Sequence, residues 1–134
     1  MMTEEERNAI VTIRLQKAKE TVLEAKTVFD LGYWRLAANR LYYACYYATS
    51  ALLIKNGYTA QTHAGVISML GLHFVKIGII SKEQGKFYGK LFELRQTGDY
   101  NDIMMIEETD VQPLIAPAED YICFLEKLIA QEVV

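Results

Sequence analysis

The sequence predicts an all-α fold, an antiparallel helical bundle of about five helices, from three observations. Apolar residues recur at helical spacing along nearly the whole chain, no stretch alternates polar with apolar as a half-buried strand would, and capping residues or glycines punctuate almost every boundary. At 134 residues the chain is long enough for one core, so residues 1–134 are read as a single domain. A composition of 51% hydrophobic and 23% charged residues belongs to a globular protein.

The elements are taken in order. Thr3 and Glu6 have capping-box spacing and open a first helix, along which Ile10, Ile13, Ala18, Val22, Ala25 and Phe29 fall at helical intervals. Gly32 suits its C-terminal stop, where a positive φ is needed. The second helix, about 33–56, is apolar nearly all the way round and is expected at the centre of the bundle or at an oligomer interface. Thr62 caps a third helix whose Val66, Leu70, Phe74 and Ile77 make one stripe, closed by Gly78. A second box, "SKEQ" (81–84), opens a fourth helix with Phe87, Leu91 and Leu94 inward. Residues 101–108 read as a loop or a frayed helix end. "TDVQ" (109–112) is taken as the cap of a fifth helix, in which Ile115, Ile122 and Ile129 repeat by sevens to about Gln131. Pro117 removes a backbone donor there, so a kink or a late start is expected.

Bulk properties bound the function. A net charge of −3 and a pI near 5.4 leave no global basic footprint, so any nucleic-acid contact has to rest on a local patch. Cys45 and Cys123 form no CxxC pair and sit in apolar helical patterns, which reads as buried free thiols in a reducing cytoplasm. The acidic start "MMTEEERNAI" is no secretory signal. The longest apolar run, "LYYACYYATSALLI" (41–54), is shorter than the roughly 20 residues a membrane span requires. A soluble cytoplasmic protein with no membrane association is expected.

Known reaction centres are hard to find. The residues three before His63 and His73 are Ala60 and Leu70, so the Glu-x-x-His pairs of a carboxylate-bridged metal bundle are missing, and no HExxH occurs. No glycine-rich phosphate loop and no nucleophile elbow are present, and neither a metal nor a cofactor is implied. A set of polar residues in apolar surroundings remains. Helical spacing puts Leu36, Arg40, Tyr43 and Tyr47 on one side of helix two, where a guanidinium must be paired or reach solvent. His63 stands in the first turn of helix three and has an ordinary pKa near neutrality. In "FELRQTGDYND" (92–102), Arg95 and Asp99 are spaced for an intrahelical ion pair and Tyr100 follows at once. The tyrosines 42, 43, 46 and 47 read first as core and interface.

Taken together, "NRLYYACYYATSALLIKNG", "THAGVISMLGLHFVKIGIIS" and "LFELRQTGDYND" resemble the HEPN domain family, and most closely its small stand-alone bacterial and archaeal members. The resemblance covers roughly residues 5–130 and implies a helical bundle that pairs into a homodimer. It also implies a role in a two-component, toxin–antitoxin-like system with a minimal nucleotidyltransferase as partner. Many such domains are metal-independent endoribonucleases whose motif is an arginine followed, after four to six residues, by a histidine. Here Arg95 is present, but Tyr100, Asn101 and Asp102 stand where the histidine would be. The resemblance therefore implies a nucleotide- or RNA-binding module using Arg40, Tyr43, His63, Arg95, Asp99 and Tyr100, without the standard ribonuclease activity. Arg95 would contact phosphate, Asp99 would orient it, and Tyr100 would stack, hydrogen-bond or receive a modification. The alternative is an endoribonuclease in which Arg95 clamps phosphate and His63 or Asp99 carries the proton.

Overall fold

The structure, a computed structural model, describes residues 2–131. Five α-helices form: α1 Glu4–Asp30, α2 Trp34–Lys55, α3 His63–Leu70, α4 Lys82–Tyr100 and α5 Glu108–Ala130. The end of α3 runs on into a π-helical turn, Gly71–Val75. Among the described residues there is no strand, and no helix is long and apolar enough to cross a membrane.

Side-chain pairs give the helix directions. Going up α1, Arg7, Arg14, Lys17 and Glu24 meet Ile54, Ser50, Tyr47 and Arg40, so α1 and α2 are antiparallel. Likewise Asn39 and Tyr42 of α2 meet Asp99 and Tyr88 of α4 in reverse order. Cys45 and Thr49 meet Ala118 and Tyr121 in the same order, so α2 and α5 are parallel. Lys19–Glu126 and Lys26–Glu119 tie α1 to α5 in antiparallel sense.

The second helix is the axis of this bundle. It packs most extensively on α1 and also touches α3, α4 and α5. Ala37, Ala38, Ala44, Ala48 and Ala51 on α2, with Ala18 and Ala25 on α1 and Ala118 on α5, are essentially solvent-free. Side chains this small let neighbouring helices approach closely. The apolar girth of α2 is thus largely consumed within one chain. It no longer argues for an oligomer.

Several expectations need correction. Ile13 and Ile77 are 63% and 64% exposed. The buried stripe of α1 runs through Val11, Ala18, Val22 and Ala25, and Ile13 lies about 200° round the helix from Val11. In the third helix the extra residue of the π turn rotates the residues beyond it by about 100°, which keeps Val66, Leu70 and Phe74 inside but swings Ile77 out. The fifth helix is capped by Glu107 and Asp110 instead of by Thr109, because a carboxylate at the third position answers the unpaired N–H groups and the positive end of the helix dipole. It starts early and runs through both Pro113 and Pro117, which rules out the late start. Cys45 is buried as expected, and burial pushes its thiol pKa up, whereas Cys123 is exposed because it faces away from the Ile122–Leu125–Ile129 stripe.

Candidate functional site

The C-terminal half of α4 and the N-terminal half of α2 run past each other, and their crossing collects the polar residues. Arg95 is the hub, with a side chain only 11% exposed. Its Nε donates to Asp99 Oδ2 at 3.1 Å, and its Nη2 donates to the Tyr43 hydroxyl at 3.1 Å and the Tyr100 hydroxyl at 3.4 Å. The same Asp99 oxygen accepts from Asn39 Nδ2 at 2.9 Å, which locks the α4 carboxylate to α2. Asn39 Oδ1 in turn accepts from Nε and Nη2 of Arg40, at 3.1 and 2.8 Å. Arg40 also lies 3.6 Å from the exposed Glu24.

The Tyr43 ring carries two guanidinium groups. Arg40 and Arg95 each stand 5.3 Å from its centroid, and Arg95 is also 5.4 Å from the Tyr100 ring. Within this cluster Asp99 is the close counter-charge, and Glu24 is a loose one. These four charges sum to zero, so the attraction of the cluster for an anion rests on its free N–H donors and not on an excess of positive charge. Arg95 Nη1 has no partner among the described residues, and no unpaired side-chain nitrogen there is buried. The guanidinium is braced on two nitrogens and presents the third. That is half of the fork by which arginine grips a phosphate.

His63 completes the site from α3. Thr62 caps this helix by accepting from the Gly65 N–H at 2.9 Å. A Cβ at position 65 would stand 2.9 Å from that same Thr62 oxygen, so the glycine is what lets the cap close and fixes where His63 begins. The imidazole packs among Tyr46, Tyr42 and Tyr43, with ring centroids at 4.9, 5.5 and 5.7 Å. Its Nδ1 lies 2.6 Å from the Tyr42 hydroxyl.

Proton accounting sets the tautomer. Tyr88 is fully buried and its hydroxyl has Tyr42 as partner, donating at 3.5 Å. If the Tyr42 proton pointed at Tyr88, the Tyr88 proton would be stranded in the core, at a cost of about 1–3 kcal/mol. The Tyr42 proton therefore goes to His63 Nδ1, and the hydrogen of the neutral ring sits on Nε2. Burial, followed by the nearby Arg95 charge, lowers the His63 pKa below its ordinary value. Burial likewise pushes Tyr42 up to about 12, so Tyr42 stays a neutral donor.

Stability inherits a pH dependence from this histidine. The unfolded chain takes up the His63 proton at a higher pH than the folded one does, so stability should fall as pH drops through the ordinary histidine range and recover above it. Thermal melts of wild type and His63→Gln between about pH 5 and 8 test this. The wild-type curve should lose stability on the acid side, and the variant should lose less.

All six residues singled out by sequence thus come to one place. Arg40, Tyr43, Arg95, Asp99 and Tyr100 form one connected network, while His63 joins through the tyrosine rings and makes no hydrogen bond to Arg95 or Asp99. Three contributors lay outside those six. Asn39 is the link between Arg40 and Asp99, Tyr42 holds the histidine, and Tyr88 sets the Tyr42 proton. The adjacency of Asn39 and Tyr42 to Arg40 and Tyr43 in "NRLYY" was the available signal. Among the described residues, no group of three or more histidine, cysteine or acidic side chains gathers as metal ligands would.

A helical bundle with an arginine–aspartate–tyrosine network at the crossing of two helices is the class that this fold and site define. The HEPN domain profile matches residues 11–128, and the chain belongs to the HEPN domain family. It is 39% identical to a UPF0332 protein of Thermotoga maritima, over 92% of this chain and 94% of that one. It is 33% identical to a Methanocaldococcus jannaschii protein named "Putative toxin", over 95% and 91% respectively. The fold also resembles the crystal structure of TT1696 from Thermus thermophilus, with a TM-score of 0.75 at 15% identity, covering 87% of this chain and 96% of that one.

Proposed function

We propose that this HEPN module binds a nucleotide or an RNA segment through its phosphate, as the component of a two-component system with a nucleotidyltransferase. The observation that carries this is the open Nη1 of Arg95, held in place by Asp99, Tyr43 and Tyr100. Arg40 adds a second positive charge across the Tyr43 ring, and His63 offers a neutral Nε2–H donor beside it. The exposed Tyr100 ring is available to stack on a base or to accept a group from the partner enzyme. Relatives named as toxins favour a role of this kind.

The resting tautomer supports binding over base chemistry. The lone pair of His63 that could take a 2′-hydroxyl proton is already occupied by Tyr42, and Asp99 is held by Arg95 and Asn39. Incubation of the purified protein with RNA in EDTA should therefore leave the RNA intact. Cleavage that Arg95→Ala abolishes would overturn this reading in favour of a metal-independent endoribonuclease.

We further propose a homodimer in the cytoplasm. Ile103, Met104 and Met105, 90%, 58% and 81% exposed, sit just after the site in the loop between α4 and α5 and supply apolar surface to cover. Light scattering should give a dimer mass, and replacing Ile103 and Met105 by serine should give a monomer. A monomeric wild type refutes the assembly.

A further inference from the structure

A second polar locus lies on the other side of Tyr46. There the seam between α1 and α2 opens into a cavity of about 120 Å³, lined in part by Arg14, Tyr46, Ser50, Tyr58 and Thr59. Arg14 Nη1 donates to Ser50 Oγ at 3.0 Å. No carboxylate of the described residues lies within 4.0 Å of the Arg14 guanidinium. Local sequence supplies a reason: its helical neighbours at three and four residues are Ile10, Val11, Lys17 and Ala18. One turn further on, Lys17 stands 4.9 Å over the Tyr47 ring and likewise has no carboxylate partner among the described residues.

A half-buried arginine anchored by a hydroxyl instead of an acid, in a cavity edged by further hydroxyls, is built to accept an anion. Tyr46 walls this cavity and also packs on His63 at 4.9 Å, so the two loci share a residue. Between them run Tyr43, Tyr46 and Tyr47, all half-buried, with mutual ring spacings of 5.7 to 6.2 Å. Cations alternating with partly exposed aromatic rings form the pattern that tracks a single-stranded nucleic acid without reading its sequence.

We infer that the Arg14–Ser50 cavity is a second phosphate position, which holds the backbone of a single-stranded RNA that also passes Arg95. This rests on the binding reading above and extends it from a nucleotide to a strand. Arg14 takes the phosphate oxygen from inside the cavity, Lys17 neutralises the strand from the rim, and the tyrosines stack its bases.

Binding of AMP and of an oligouridylate of about eight nucleotides, within the span one such site covers, separates the two readings. Both ligands are titrated into wild type, Arg14→Gln, Lys17→Gln and Arg95→Ala at several salt concentrations. Arg14→Gln should weaken the oligonucleotide about tenfold, the effect of one charge-assisted hydrogen bond, and leave AMP unchanged. The slope of log affinity against log salt should flatten by about 0.7 for each phosphate no longer neutralised. Lys17→Gln, at an exposed position, should flatten it similarly and guards against a folding defect in the Arg14 variant. Unchanged oligonucleotide affinity and slope in both variants would overturn the strand inference alone. AMP binding insensitive to Arg95→Ala, with the Arg14 effect intact, would overturn the nucleotide reading and keep the seam. Failure of both ligands to bind wild type overturns both. Equal affinity for a polyglutamate of matched charge would reduce the seam to a general anionic surface and also overturn the inference.

Discussion

Arg95→Ala should weaken AMP binding by about 10- to 100-fold, the range of losing one or two hydrogen bonds from a charged donor. The loss exceeds that expected for a surface arginine because three groups are arranged to hold this one. Asp99 fixes Nε, the Tyr43 and Tyr100 hydroxyls fix Nη2, and the free Nη1 is aimed without further ordering cost when ligand arrives. Arg95→Lys separates charge from geometry. A lysine has no fork with which to satisfy Asp99 and both tyrosines while still presenting a donor, so it should recover only part of the affinity. Calorimetric titration measures both. If Arg95→Ala lowers the melting temperature and leaves AMP affinity untouched, the network is a structural brace between α2 and α4 and nothing more.

Tyr88→Ala should be the most destabilising change of those tied to the site. The ring is fully buried, stacked on Tyr42 at 5.7 Å and on Tyr121 at 5.8 Å, and its removal leaves a cavity where α2, α4 and α5 meet. Truncation of a large buried aromatic costs about 3–5 kcal/mol. For a domain of this size that is a fall of about 10–20 °C in melting temperature. Tyr88→Phe is the informative companion. It keeps the ring and deletes only the hydroxyl that obliges Tyr42 to donate to His63, so melting should change little. Nitrogen NMR of His63 should then show Nδ1 less fully the acceptor than in wild type. A Phe variant with an unaltered His63 tautomer would mean that Tyr88 does not govern that proton.

Local pattern carried much of this protein. Glycines and caps are local chemistry, so Gly32, Gly57 and Gly78 stand at helix ends with positive φ, and Ser81 with Gln84 makes the box its spacing promises. The Arg95–Asp99 pair was legible for the same reason, since four residues on a helix is one turn. The misread burials of Ile13 and Cys123 share a cause: both are apolar residues beside a buried stripe, and only the neighbouring helices define which face is covered.

By itself, then, the sequence determined five helices and most of their punctuation, and it singled out the six side chains that the fold gathers, because helical period, capping and charge in apolar surroundings act over one or two turns. Tertiary structure alone decided how those side chains are used. It set Asn39 of α2 against Asp99 of α4 at 2.9 Å, put Tyr42 on His63 at 2.6 Å, and left Arg95 Nη1 open. It also left Arg14 in a cavity without a carboxylate. Each of these depends on the register in which helices distant in sequence pack, and that register is set by the whole core at once.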